Sequence, residues 1–141
     1  MTIPGRSDQS PEPVILRVWA DETGQSRFEE IRLPGGPRRS EVSTSVAWLS
    51  EKIAVRGLVW RRVEQEAPPT VPHNAPRRQL IVPLSGAVEL EVSGGERRTV
   101  QPGGMILVED TTGAGHITRA ADDAPRVTLM LELGDEPFPG I

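Results

Sequence analysis

The chain has 141 residues, 36% of them hydrophobic, a formal net charge of −4 and no cysteine. That is the length of one ordinary domain, and it excludes a disulfide framework or thiolate metal site. No apolar run approaches the roughly 20 residues of a membrane helix and no basic stripe runs along the chain, so neither a membrane span nor a nucleic-acid partner is expected.

Residues 1–12 are polar and Pro-containing, without the basic-then-apolar layout of a secretory signal, and read as a loose tail of a cytoplasmic protein. Val14 to Ala20 and Arg27 to Leu33 then read as strands. Val42 to Leu49 and Ala54 to Val63 follow; Ser43 to Ile53 offers a turn or two of helix, against which its β-branched content argues. The segment 66–76 carries four prolines and must be a loop. It leads into strands at Gln79 to Leu84, 87–92, Arg97 to Gln101, Met105 to Glu109, His116 to Ala120 and 127–133. Residues 134–141, rich in Pro, Gly, Asp and Glu, read as a second tail.

The hydrophobic period is two almost throughout, so each strand has one dry face. In the strand from Gln79, for example, Leu80, Val82 and Leu84 take one side and Gln79, Ile81 and Pro83 the other. Breakers at Pro34-Gly35-Gly36-Pro37, Ser85-Gly86, Ser93-Gly94-Gly95 and Pro102-Gly103-Gly104 separate the strands. Short strands with Gly/Pro turns predict an all-β sandwich or barrel, one domain spanning 13–133.

There are two histidines, His73 and His116. His73, then Gln79 six residues on, then Gly86 closing an apolar strand, resemble the first motif of the cupin family, with Ala75 standing where that motif has its second histidine. Pro102-Gly103-Gly104, a strand, the loop Glu109-Asp110-Thr111-Thr112-Gly113-Ala114-Gly115 and His116 resemble the second. The resemblance covers about 55–133 and implies a jelly-roll β-barrel with an interior site. It also implies a homodimer, to which 12–33 would bring a strand edge, and a divalent ion (Fe, Zn, Mn or Ni) on His73, His116 and Gln79.

The same residues suit metal-free chemistry. Imidazoles titrate near neutrality, which suits a general base, and Gln79 can hydrogen-bond a carbonyl as it becomes an enolate. The expectation is an acid–base enzyme (isomerase, cyclase or lyase) acting on a carbonyl-containing or aromatic small molecule, with His73, His116 and Gln79 catalytic. Arg78, Trp60, Glu109 and Asp110 are expected to bind the substrate. Glu109 and Asp110, being adjacent, point to opposite sides, so one at most enters the pocket; the bland reading of Asp110 is an Asx-turn. One rival is an iron dioxygenase taking its carboxylate from 109–110. The other is a barrel that binds a ligand without reaction.

Overall fold

A computed structural model describes residues 12–39, 41–42, 44–65 and 71–141. The tail 1–11 and the loop residues 66–70 lie outside the described residues, as does Ser43 of the helical alternative. The described residues are all-β and contain no helix, hence none long and apolar enough to cross a membrane. In chain order the strands are β1 Val14–Ala20, β2 Ser26–Arg32, β3 Gly35–Arg39, β4 Val46–Ser50, β5 Gly57–Val63 and β6 Gln79–Ser85. After these come β7 Val88–Glu91, β8 Arg97–Val100, β9 Ile106–Val108, β10 Ile117–Ala120 and β11 Arg126–Glu132.

Six strands form one sheet in the order β2-β1-β9-β6-β11-β5, three form a second in the order β10-β7-β8, and β3 and β4 form a separate hairpin. Most neighbours are antiparallel, but β1 and β9 are parallel, with Leu16 beside Ile106 and Val18 beside Val108. The two larger sheets face each other, because one apolar cluster joins Leu16, Val18, Ile106 and Val108 of the first to Val88 and Leu90 of the second. The described strands do not close into a continuous hydrogen-bonded barrel.

Period-two patterning gives the six-stranded sheet a second dry face. Ile15, Ile31, Leu80 and Leu107 point away from the small sheet and cluster with Leu33, Leu133 and Phe138. This corrects the expectation for 134–141: the segment is no loose tail, because Phe138 is only 4% exposed in that outer core. The sheet's two edges differ. β2 exposes Arg27, Glu29, Glu30 and Arg32, whereas β5 exposes Leu58, Val59 and Trp60.

Two sequence expectations miss in the 34–50 region. The Pro34-to-Pro37 breaker is largely strand β3, paired with β4 from Gly35–Ser50 to Arg39–Val46. The strand expected from Val42 begins at Val46.

Candidate active site

Between the two facing sheets lies a cavity of about 370 Å³. Strand alternation decides which side chains reach it. β6 sends in Gln79 and Ile81, β9 sends Ile106 and Val108, and β7 sends Val88 and Leu90. His116, which leads into β10, and His73, from the loop before β6, complete one end.

The two histidines pair as an isolated antiparallel bridge, each backbone N–H donating to the other's carbonyl oxygen at 2.9 Å. Their ring centroids are 4.7 Å apart, with the planes tilted by 54°. His116 is buried and His73 is exposed, so one imidazole stands inside the cavity wall and the other at its mouth. Gln79, 3% exposed, lines the same cavity. The structure thus brings together the three residues expected to be catalytic.

Asp110 is fully buried, and its Oδ2 lies 2.5 Å from Nδ1 of His116. It forms no Asx-turn. An ionised carboxylate only accepts, so in this pair Nδ1 is the ring atom that donates and Nε2 is the one turned away from Asp110. Asp110 therefore sits behind His116, where it fixes the ring, and does not line the cavity.

The loop between Glu109 and His116 is held at many points, which is how so irregular a stretch can position a ring. The Glu109 N–H donates to Val18 O, and Ala114 N–H donates to Gly24 O. Asn74 Nδ2 donates to the carbonyls of Asp110 and Gly113, while the Ser26 hydroxyl donates to Gly115 O at 2.7 Å.

The other expected substrate contacts are engaged elsewhere. Glu109 takes the opposite side from Asp110, as adjacency demands, and accepts from Arg17 Nε at 2.6 Å and Arg78 Nε at 2.7 Å. Arg78 also donates to Gly134 O and Glu136 O, and does not line the cavity. Trp60 is 53% exposed, stands on the outer face of the sheet with Arg62 over its ring, and is likewise absent from the cavity wall. Four polar residues that sequence reasoning missed do line it: Arg61, Thr118, Arg126 and Thr128. The signal for the last two was faint: Arg126 and Thr128 are two of the three polar members of the alternating run 126–133, with Glu132, and the inward side of that run depends on the facing sheet.

The residues present do not fit a firmly bound divalent ion. Tight sites use three or four imidazole, carboxylate or thiolate donors. Here Ala75 has no donor, Gln79 offers a neutral amide, Asp110 Oδ2 is bonded to His116, and Glu109 is held between two arginines. Among the described residues no group of three His, Cys, Asp or Glu surrounds one point. Of the two carboxylates that an iron dioxygenase could draw from 109–110, Glu109 is held by Arg17 and Arg78 and Asp110 Oδ2 by His116, while the buried Asp110 Oδ1 has no hydrogen-bond partner among the described residues. No family model matches the chain, and no curated protein matches it in sequence.

Proposed function

We propose that the chain is a small-molecule enzyme of the cupin type that moves protons next to a substrate carbonyl inside its β-sheet interior. The observation that carries this reading is the buried Asp110–His116 pair at the wall of a cavity that also holds His73 and Gln79. Two facing sheets around a ligand-sized space, with motif residues converging there, support the jelly-roll assignment. About 370 Å³ falls within the range of small-molecule sites.

The chemistry follows from the donor inventory. His116 Nε2 takes a proton from the carbon beside the carbonyl, and the C–H electron pair moves to the carbonyl oxygen as an enolate. Asp110 stabilises the imidazolium so formed. The Gln79 amide N–H hydrogen-bonds the enolate oxygen where water is excluded. Return of the proton to a different carbon gives isomerisation; loss of a group from the next carbon gives elimination. His73, exposed and stacked obliquely on His116, is placed to exchange the proton with solvent or with the leaving group.

The test is exchange of α-hydrogens for deuterium in D₂O, followed by NMR, on enolisable ketones such as 2-heptanone and acetophenone. Wild-type protein should catalyse exchange without added metal and after treatment with a chelator. His116→Asn should abolish it, and Asp110→Asn should lower it by roughly 10²-fold or more, the scale of general-base contributions. Binding of these ketones with no exchange above buffer would replace this reading with the non-catalytic barrel. Loss of exchange on chelation would restore the metal reading.

A further inference from the structure

An edge strand offers a row of backbone N–H and C=O groups to any strand that approaches it, and the six-stranded sheet has two such edges, β2 and β5. The β2 edge is guarded by charge. Asp21 holds Arg27, Arg17 holds Glu29, and Arg98 reaches over from β8 of the facing sheet to Glu30. The β5 edge is different. Among the described residues β5 pairs with β11 alone. Every residue from Leu58 to Arg62 is exposed, and three in succession are large and apolar: Leu58 at 57%, Val59 at 48% and Trp60 at 53%.

That run breaks the alternation of a half-solvated strand. Leu58 and Trp60 pair with Leu131 and Leu129 on the outer face, whereas Val59 shares the inner face with the cavity residue Arg61. Apolar side chains on both faces belong to a strand with neighbours on both sides.

Charge and length select the neighbour. Two copies of β5 related by a two-fold axis run antiparallel, and facing residues share a face of the joined sheet. The axis therefore passes through a residue that faces its own copy. Centred on Val59, Arg56 would face Arg62; centred on Arg61 or Arg62, arginine would face arginine. Centred on Leu58, only Gly57, Leu58 and Val59 of β5 would pair. Centred on Trp60, all of β5 pairs from Gly57 to Val63, and Arg56 faces Glu64 once on each side of the axis. Arg56 and Glu64 now make only long ion pairs, to Glu136 at 3.7 Å and Arg62 at 3.5 Å, between side chains more than half exposed. Such pairs contribute little and yield readily.

We propose that a second copy of this chain docks on β5, antiparallel about Trp60, so that the two six-stranded sheets become one continuous sheet. Trp60 packs against Trp60 of the partner subunit, and Leu58 lies beneath the aliphatic stem of the partner's Arg62. On the inner face Arg61 meets the partner's Val59, so the joined edge borders both cavities. The interface is distinct from the edge that 12–33 would bring, and it does not depend on the proton-transfer reading.

The chain has no cysteine, so a single introduced thiol can pair only with its own copy. In sedimentation the full chain should run at twice the monomer mass. Facing strand residues lie about 4.5 to 5.5 Å apart between Cα atoms, within disulfide range. Trp60→Cys should therefore form a covalent dimer on mild oxidation at least about tenfold faster than Val14→Cys, which is exposed on another strand. Glu64→Arg, at an exposed position just beyond β5, should weaken self-association by about tenfold, because like charges then face each other twice. Adding Arg56→Glu should restore it, a rescue that a damaged fold would not give. A wild-type chain that stays monomeric at all concentrations overturns the proposal. So does a dimer that lacks either the rescue or the preferential cross-link, because its interface then lies elsewhere.

Discussion

Gly115 adopts φ of 75° immediately before His116, a backbone state that costs an L side chain free energy. Space is equally short: a Cβ there would lie 2.5 Å from the carbonyl oxygen of His73. The glycine thus lets the two histidine backbones come close enough to bond to each other. Gly115→Ala should destabilise the domain by about 2 kcal/mol, the range for a strained non-glycine residue, measured by urea unfolding. It should also part the rings, so ketone exchange should fall further than in a variant equally destabilised elsewhere. Unchanged stability would mean that the His73–His116 bridge yields freely. At this scale part of the site was legible: the spacing of His73, Gln79 and His116 pointed to one place. Asp110 was read as a substrate contact or turn former because sequence gives the side to which a residue points but not its partner. His116, six residues further on, returns to it only because the loop is tied to Asn74, Gly24 and Ser26.

Glu109 acts on elements rather than on substrate. It directly follows β9, and its carboxylate joins Arg17 of β1 to Arg78, which precedes β6; all three side chains are less than a quarter exposed. Glu109→Gln removes the charge that balances two neighbouring guanidinium groups. The expected cost is about 2 kcal/mol, in line with hydrogen bonds to charged groups, read as a lower urea midpoint with an unchanged slope. A loss below a few tenths of a kcal/mol would place this cluster among ordinary surface ion pairs. The β1–β2 turn offers a pH readout. Hydrogen bonds from Thr23 and then Arg27 hold the Asp21 carboxyl at about 2, below its ordinary 3.8. A depressed carboxyl stabilises the fold above its unfolded value, and that contribution is lost as pH falls from 3.8 through about 2. The melting temperature of wild type should therefore drop more steeply over that window than that of Asp21→Asn; parallel curves would remove Asp21 from the acid response. Strand boundaries were readable where alternation was clean, as in β1. β3 was not, because Gly35, Gly36 and Pro37 spell a turn locally. A Cβ at Gly35 would lie 2.3 Å from Leu49 O and 2.7 Å from the Trp48 ring, so hairpin packing demands the residue that propensity assigns to a loop.

At the scale of the molecule, the six-stranded sheet separates two cores with different tasks. One, between the sheets, shapes the cavity; the other, on the outer face, carries no site residue. The all-β class followed from period two, but the outer core did not, because its cover comes from 134–141, where one phenylalanine stands among residues typical of loops. Phe138 reaches 4% exposure by lying with Ile15, Leu80 and Leu107 of the sheet. Leu80 and Leu107 directly precede or neighbour cavity residues: Gln79 and Ile81 flank the first, Ile106 and Val108 the second. Loosening the outer core therefore acts on the sheet that carries half the cavity wall, without touching a side chain in it. Phe138→Ala should cost roughly 3 to 5 kcal/mol, the usual price of deleting a buried aromatic ring. Where the variant stays folded, ketone binding should weaken much less than stability does, because the His116–Asp110 pair is held by the loop 109–116 and not by the C-terminal segment. Urea unfolding and calorimetry on the same preparation check both halves. A stability loss under about 1 kcal/mol would show that the ring covers little apolar surface, and 134–141 would revert to a dispensable tail.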